Sequence, residues 1–215
     1  LKLQLIYLIG LDILKVKIYK NNMNRQGVQR HADEDDYINR RSNNIYVLSN
    51  VFSEDICTKI VDTINEDPGE KLIRRCGQNV HAYEKQLVKN HPFTELIFSK
   101  LQELTRFLGK RYFMTFSKTP VQEPVCLRKI YDATKLHEDG LKAGDNEPES
   151  RTLAVIIALN SDYDGGEIVF PCQNFKTKLE QGDAIVFPPF WTHPHYTESL
   201  NNNTFRYTIN TWLHK

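Results

Sequence analysis

The 215 residues include 28 lysines and arginines against 27 aspartates and glutamates, for a formal net charge of +1. Hydrophobic residues make up 40% and charged residues 26% of the chain, a composition typical of a globular domain with a sizeable core. The near-neutral balance argues against nucleic acid or an anionic membrane as the main partner.

The first 44 residues are interpreted as an N-terminal extension or linker. The run LKLQLIYLIGLDILKVKIY is too short and too charged for a transmembrane helix. Three interpretations stay open: a weak signal sequence, a fragment of upstream sequence, or sequence translated ahead of Met23. Residues 20–44 are polar and typical of a mobile arm. Without a clear secretory signal we expect a cytoplasmic location and no stable membrane insertion.

The four cysteines, Cys57, Cys76, Cys126 and Cys172, are widely spaced and include no CxxC pair. A zinc ribbon or a redox dithiol is therefore not expected. We expect reduced, mostly buried thiols, although an even number also allows two disulfides in an oxidising compartment.

The first predicted helix follows a predicted strand at residues 45–52 (IYVLSNVF). Ser53 is the predicted N-cap, and Glu54 and Asp55 place negative charge in the first turn. The Pro-Gly pair at residues 68 and 69 ends the helix. Its apolar positions recur at helical spacing: Ile56, Ile60, Val61 and Ile64.

A second helix is predicted from Pro92 to Leu108. Proline suits the first turn of a helix, and Gly109 suits the position just past its end. The apolar face of this helix consists of Phe93, Ile97, Leu101, Leu104 and Leu108.

After Gly109, short runs rich in β-branched and aromatic residues predict strands, separated by turn signals at 164–166 and 181–183. The runs are YFMTFS (112–117), VCLRKIYD (125–132), TLAVIIALN (152–160), GEIVFP (166–171), FKTKLE (175–180), DAIVFPP (183–189) and FRYTINTWL (205–213). Helices followed by strands predict an α+β fold, a double-stranded β-helix (jelly-roll) core braced by N-terminal helices. The predicted domain spans residues 45–215, with its catalytic core at about 110–215.

The stretch LHEDG holds a candidate metal-binding pair, His137 and Asp139. Residues two apart at the end of a strand point to the same face, so both side chains can converge, whereas Glu138 points away. The alternative is an exposed Asp-Gly turn. A third ligand is available at His193 or His195 in FPPFWTHPHYTES. Two histidines and one carboxylate are the ligands typical of non-haem Fe(II) enzymes that activate oxygen.

Such an iron centre uses a reducing co-substrate, and a chelating 2-oxo acid needs a buried cation for its distal carboxylate. Arg206 in FRYTINTWL supplies a guanidinium that can hold a carboxylate through two hydrogen bonds. Thr208, Asn210 and Trp212 share its face of the predicted strand. The alternative is a structural arginine paired with an acid such as Glu198.

The segments HEDG, GGEIVFP, GDAIVFPPFWTHPH and TFRYTINTWL together resemble the Fe(II)- and 2-oxoglutarate-dependent dioxygenases. They are most similar to the prolyl 4-hydroxylase-like branch, over roughly residues 110–215. The resemblance favours His195 over His193, because His195 lies eleven residues before Arg206 and His193 thirteen. It implies His137, Asp139 and His195 as metal ligands. The predicted co-substrate contacts are Arg206, Tyr131, Trp212 and Asn210.

The resemblance also implies Fe(2+), 2-oxoglutarate, O2 and ascorbate as cofactors and co-substrates. The implied reaction releases succinate and CO2 and hydroxylates a C–H bond, with a prolyl residue of a peptide or protein as the first candidate. Two alternatives stay open. One is the same iron chemistry on a small molecule or nucleic acid, and the other is a non-catalytic jelly-roll binding module. The long polar loop at 141–150 is predicted to be a lid or substrate clamp. His31, His81, His91 and His214 lie outside the pattern and are interpreted as surface residues.

Overall fold

A computed structural model of the chain describes residues 15–17, 44–75, 78–112, 114–140 and 151–214. The predicted lid at 141–150, Cys76 and most of the predicted N-terminal extension lie outside these ranges. The helices are α1 (Glu54–Glu66), α2 (Thr94–Tyr112) and a 3₁₀-helix at Pro171–Gln173. The strands are β1 (Lys15–Lys17), β2 (Tyr46–Ser49), β3 (Glu70–Arg75), β4 (Gln78–Gln86), β5 (Cys126–Ile130), β6 (Thr134–His137), β7 (Arg151–Ala158), β8 (Asp164–Gly165), β9 (Ile168–Phe170), β10 (Phe175–Thr177), β11 (Ala184–Phe187), β12 (His195–Thr197), β13 (Leu200–Asn201) and β14 (Arg206–His214).

Eight strands form the larger sheet, in the order β1-β2-β11-β7-β14-β5-β4-β3, with antiparallel neighbours throughout. The long strand β14 lies between β7 and β5, and all nine of its residues are buried. Both faces of this strand are therefore covered. At one edge, β1 pairs with β2, so a short part of the predicted extension joins the sheet.

A smaller antiparallel sheet, β10-β9-β12-β6, packs on one face of the larger sheet, and β8 and β13 form a separate ribbon. Phe170 of β9 and Phe187 of β11 meet between the two sheets, with ring centroids 4.9 Å apart. Both side chains are fully buried. Two antiparallel sheets packed in this way form the predicted double-stranded β-helix, and the predicted fold class is confirmed.

The two helices cover the opposite face of the larger sheet. Their apolar stripes, including Ile60 of α1 and Leu101 of α2, pack in one core cluster with Val155 of β7 and Ile209 of β14. Each fully buried aliphatic side chain of this kind contributes about 1.5–3 kcal/mol. The helices thus brace the sheet, as the order of helices before strands predicted.

The predicted bounds of the second helix were wrong. The helix begins at Thr94, two residues after Pro92, and it continues through Gly109 to Tyr112. A Cβ on Gly109 would lie 3.2 Å from the carbonyl oxygen of Met114, so the missing side chain lets the following chain pack closely. No helix among the described residues is long and apolar enough to span a membrane.

One further strand prediction was wrong, and one pair of strands was not predicted. Tyr112 ends α2, and residues 114–117, the rest of the described part of the predicted strand at 112–117, are irregular. Residues 70–75 and 78–86 form β3 and β4, which extend the larger sheet beyond β5. The first half of the chain therefore supplies strands as well as helices.

The predicted turn at 181–183 joins the larger sheet to the segment that leads into α1. The Gly182 amide donates to the carbonyl oxygen of Ala158 over 2.8 Å, and the Gly182 carbonyl oxygen accepts from the Val51 amide over 2.8 Å. Gly182 has φ +85°, and a Cβ there would lie 2.1 Å from the carbonyl oxygen of Phe52. This position therefore requires glycine.

Candidate active site

A cavity lies between the two sheets, with about 690 Å³ of empty space including its solvent-open mouth. Apolar walls come from both layers, for example from Ile156 and Ile185 of the larger sheet and Ile168 of the smaller one. The sequence-predicted residues His137, Asp139, His195, Arg206, Asn210 and Trp212 all line this cavity. Distant parts of the chain thus meet at one site.

The two histidines come from neighbouring strands of the smaller sheet. His137 ends β6, His195 begins β12, and the two residues are direct partners in the antiparallel pairing. Their ring centroids lie 4.4 Å apart. The His195 side chain is only 3% exposed because it packs against Phe170 and Phe187, with centroids at 5.3 and 4.7 Å.

Asp139 lies two residues beyond the end of β6, and its carboxylate points toward both histidines. The Oδ1 atom is 3.5 Å from His137 Nε2, and the Oδ2 atom is 3.9 Å from His195 Nε2. The ligand atoms of the three residues all lie within 4.8 Å of one another. Three ligands each about 2 Å from one ion, at right angles, lie roughly 3 Å apart. The cluster therefore encloses a space that fits one metal ion after small side-chain adjustments.

Backbone hydrogen bonds to Nδ1 direct the Nε2 atoms of both histidines toward the cluster. His137 Nδ1 lies 2.8 Å from the carbonyl oxygen of Lys135, and His195 Nδ1 lies 3.1 Å from that of His193. Because a carbonyl oxygen can only accept, each Nδ1 carries a proton, so a ring in its neutral form turns a bare Nε2 toward the cluster. This is the tautomer that a metal ligand needs.

The electrostatics of the cluster also suit a cation. Burial, aided by the nearby His137 and opposed by Asp139, lowers the pKa of His195 to about 4, so the ring is neutral at pH 7. Burial raises the pKa of Asp139, but the hydrogen bond with His137 and the charges of His195 and Arg128 outweigh it, leaving the pKa below the ordinary value. The site thus presents one carboxylate and a neutral imidazole, the forms that coordinate metals.

Arg206 lies in the same cavity, on the larger sheet. Its side chain is buried, and Nη1 donates to the carbonyl oxygen of Gly166. Nε has no hydrogen-bond partner among the described residues, and no ion pair joins Arg206 to a described acidic side chain. Glu198, the alternative partner, is instead paired with Lys176 over 2.7 Å. Burial lowers the pKa of Arg206. A buried guanidinium with a free N–H is costly unless an anion joins it, so the cavity fits a ligand carboxylate.

The polar face of β14 continues along the cavity wall. Thr208 donates to the amide oxygen of Asn210 over 2.6 Å, and both residues line the cavity with Trp212. The Arg151 guanidinium lies over the Trp212 ring, 3.7 Å from its centroid. These positions alternate along the strand as predicted, and they border the space beside Arg206.

Tyr131, a predicted co-substrate contact, is not among the residues that line the cavity. Arg128 and Ile130 of β5 line the cavity, so the alternate residues, Lys129 among them, face the other way. Tyr131 continues that outward row and packs against His81 and Tyr83, with ring centroids at 5.8 and 5.9 Å.

The sequence reasoning missed Tyr163, which precedes β8 and lines the cavity near Arg206. Its side chain is buried, and burial raises its pKa. The phenol therefore stays protonated and can donate a hydrogen bond. The only sequence signal for Tyr163 is its position just ahead of the turn glycines Gly165 and Gly166.

The interpretation of His214 also changes. His214 is not a surface residue: it is buried, and Nε2 lies 3.0 Å from Glu123 Oε1. Arg128 is paired with Glu84 over 2.6 Å and lines the cavity, whereas Lys129 reaches Asn65 of α1. His193 is buried, and Nδ1 lies 2.9 Å from Thr192 Oγ1, so its ring is outside the three-residue cluster.

The fold and the cluster define a class of protein, the double-stranded β-helix proteins with a facial site of two histidines and one carboxylate. Residues 128–214 match the family model of the 2OG-Fe(II) oxygenase superfamily. The matched residues include the three-residue cluster and Arg206.

A relative from Acanthamoeba polyphaga mimivirus, named "Putative prolyl 4-hydroxylase", is 24% identical over 174 residues. The match covers 74% of this chain and 64% of that protein, so this chain spans less than two thirds of its relative.

Solved structures of prolyl hydroxylases share the fold. The viral collagen prolyl hydroxylase of Paramecium Bursaria Chlorella virus-1, in complex with 2OG, has a TM-score of 0.61 at 18% identity, covering 80% of this chain and 97% of that one. A Pseudomonas putida prolyl-4-hydroxylase has a TM-score of 0.64 at 11% identity, covering 83% and 96%. A Trichoplax adhaerens prolyl hydroxylase, in complex with a hypoxia inducible factor peptide fragment, has a TM-score of 0.60 at 14% identity, covering 81% and 85%.

Proposed function

We propose that the protein is an Fe(II)- and 2-oxoglutarate-dependent dioxygenase that hydroxylates a prolyl residue of a peptide or protein. One observation carries the proposal: His137, Asp139 and His195 converge in the same cavity that holds the buried Arg206 guanidinium. A metal site and a carboxylate site within one enclosed space are what a chelating 2-oxo acid requires.

In this proposal, His137, Asp139 and His195 hold the metal through Nε2, a carboxylate oxygen and Nε2. When bound, the iron centre with 2-oxoglutarate and O2 supplies the oxidising chemistry, which yields succinate, CO2 and a hydroxylated product. Arg206 holds the distal carboxylate of the co-substrate, and the Tyr163 hydroxyl donates to the same group. The apolar walls at Ile156, Ile168 and Ile185 limit the access of water.

A peptide substrate is favoured by the exposed aromatic residues on a loop that contacts the Asp139 segment. Phe190 and Trp191 are 42% and 79% exposed on the loop between β11 and β12. The backbone of this loop lies against the segment that carries Asp139: a Cβ on Gly140 would be only 3.1 Å from the carbonyl oxygen of Pro189. Exposed aromatic side chains at the edge of a cavity suit an apolar, extended ligand such as a proline-containing peptide.

We further propose that residues 45–215 act as one catalytic domain. The residues ahead of the superfamily match supply β2, which pairs with β11, and β4, which pairs with β5. Because β5 and β11 border the cavity, the earlier strands support the site directly.

The test is a succinate-release assay with Fe(II), ascorbate and 2-oxoglutarate on purified protein, with and without peptides that contain proline. We expect peptide-stimulated succinate release and a product heavier by one oxygen atom, located on proline by fragment mass spectrometry. His137→Ala and Asp139→Ala serve as controls, because each removes one proposed ligand. Succinate release equal to that of the controls, with and without every peptide, would refute the proposal. The dependence on ascorbate is a separate prediction, which the same assay tests when ascorbate is left out.

A further inference from the structure

Asp139 lies on an irregular segment, 138–140, which follows β6 and belongs to no strand. Strand pairing therefore fixes His137 and His195 but leaves Asp139 to other contacts. Its backbone carbonyl oxygen accepts a hydrogen bond from Nη1 of Arg151, the first residue of β7. This contact comes from the larger sheet, whereas both histidines belong to the smaller one.

Arg151 is itself fixed on three sides. Nε donates to Glu123 Oε1 over 2.5 Å, and Nη2 donates to Glu123 Oε2, which makes a two-point ion pair. One face of the guanidinium lies on the Trp212 ring, 3.7 Å from its centroid. His214 Nε2 lies 3.0 Å from Glu123 Oε1 and holds the carboxylate in turn. The Arg151 side chain is only 10% exposed, so these contacts are shielded from water.

We propose that Arg151 is a positioning residue that directs the Asp139 carboxylate toward His137 and His195. The inference rests on the proposed function, because it treats the three residues as metal ligands. Glu123 occupies one edge of the guanidinium and Trp212 one face, so the remaining nitrogen meets the Asp139 carbonyl in a fixed direction. A lysine ammonium cannot form the two-point pair, the stacking contact and the carbonyl contact together. Arg151 touches the backbone of a ligand and not the ligand atoms, so it acts through Asp139.

The experiment uses the full chain with Co(II) as the probe, because a first-row divalent ion with visible d–d bands reports affinity and coordination without turnover. Arg151→Lys and Glu123→Gln each break the two-point pair. We expect Co(II) affinity to fall about 10- to 100-fold in both variants, with altered d–d bands, as is usual when the support of a metal ligand is lost. Asp183→Asn is the matched control, because Asp183 is a buried acid that accepts from the Asn50 amide and does not line the cavity. It should lower Tm without changing Co(II) affinity or spectrum.

The inference is overturned if a folded Arg151→Lys or Glu123→Gln variant keeps the Co(II) affinity and spectrum of the wild-type protein. It is also overturned if the only effect is on the KM for peptide. If Arg151→Lys does not fold, Glu123→Gln alone tests the inference, because glutamine has the same size and shape as glutamate. The two proposals fail differently. Wild-type protein that binds Co(II) no better than Asp139→Ala overturns the metal site itself.

Discussion

His137 and His195 are direct cross-strand partners on β6 and β12, and their ring centroids lie 4.4 Å apart. The pairing of two strands therefore sets the distance between two proposed metal ligands. Each ring donates Nδ1–H to the backbone carbonyl two residues earlier, so the strand backbone also sets the direction of each Nε2.

This geometry distinguishes the two histidines of the THPH sequence. His195→Ala should abolish stoichiometric Co(II) binding, because it removes one of three ligands. His193→Ala should keep it, because the contact from His193 to His195 uses the backbone carbonyl, which alanine retains. Isothermal titration calorimetry measures the affinity and stoichiometry of Co(II) binding in both variants. Loss of binding in His193→Ala together with retention in His195→Ala would show that the ligand was assigned to the wrong histidine.

Arg206→Lys should raise the KM for 2-oxoglutarate, because an ammonium replaces the two-point contact of a guanidinium. One hydrogen bond to a charged group is worth about 1.5–3 kcal/mol, which corresponds to roughly 10-fold or more in KM. Succinate release over a range of 2-oxoglutarate concentrations measures it. Lys129→Met is the control, since Lys129 lies on the neighbouring strand and reaches Asn65 instead of the cavity. An unchanged KM in Arg206→Lys would remove Arg206 from the co-substrate site.

Trp191→Ala should raise the KM for a proline-containing peptide and leave the KM for 2-oxoglutarate unchanged. The side chain is 79% exposed, so its removal leaves the core intact and deletes only contact area for a bound ligand. Both constants come from the same succinate assay. Leu136→Ala is a matched control, because Leu136 is also an exposed apolar residue, at 54%, and does not line the cavity. Equal effects of the two changes on peptide KM would contradict a specific role for Trp191.

Gly182→Ala should destabilise the fold. The position has φ +85°, where an L-residue is strained by about 1–2 kcal/mol, and the new Cβ would also meet the carbonyl oxygen of Phe52 at 2.1 Å. Urea denaturation gives the free energy of unfolding, which should fall by more than about 2 kcal/mol. Glu180→Ala, at an exposed neighbouring position, should change it by less than about 0.5 kcal/mol. Similar losses in the two variants would contradict the strained turn.

Cys57 should be inert to thiol reagents in the native protein. Burial raises the pKa of its thiol from 9.0 to about 12, with a further contribution from Glu54, so no thiolate forms at pH 8. Cys57→Ala should therefore leave the number of fast-reacting thiols unchanged, whereas Cys172→Ala, at an exposed position, should reduce it by one. Ellman's reagent measures both. Fast labelling that disappears in Cys57→Ala would contradict the buried position.

The same shift has a consequence for stability. Because the folded-state pKa is raised, the native protein keeps the Cys57 proton while the unfolded chain releases it above pH 9.0. This contribution to stability is present below pH 9.0 and is lost as the pH rises toward about 12. Cys57→Ala should remove that part of the alkaline loss, as measured by urea denaturation at pH 8 and pH 10.

Alternation along strands explains most of what could be predicted of the site. Arg206, Thr208, Asn210 and Trp212 stand two residues apart on one regular strand, and all four line the cavity. The same rule would have turned Tyr131 away, since Arg128 and Ile130 are the inward residues of β5. Tyr131 was assigned from the family resemblance against its own strand parity, and its ring packs against His81 and Tyr83.

Long-range contacts explain what could not be predicted. Glu123 meets Arg151 across 28 positions of the chain and His214 across 91, and local sequence patterns do not register such contacts. The β3–β4 hairpin was missed for a different reason. Its sequence, EKLIRRCGQNVHAYEKQ, is polar and charged, as suits strands near the edge of a sheet, and it lacks the apolar runs that mark buried strands.

The two layers of the sandwich carry different halves of the proposed chemistry. His137 and His195 belong to the smaller sheet and Arg206 to the larger one, so the thickness of the packed interior determines how far apart metal and carboxylate sites stand. Phe170 and Phe187 pack edge to face with each other between the layers and lie against His195, and they act as the spacer. In the proposed site we therefore expect a substitution of either ring to alter the length of diacid that is bound, although neither ring is a proposed ligand or anion-binding group.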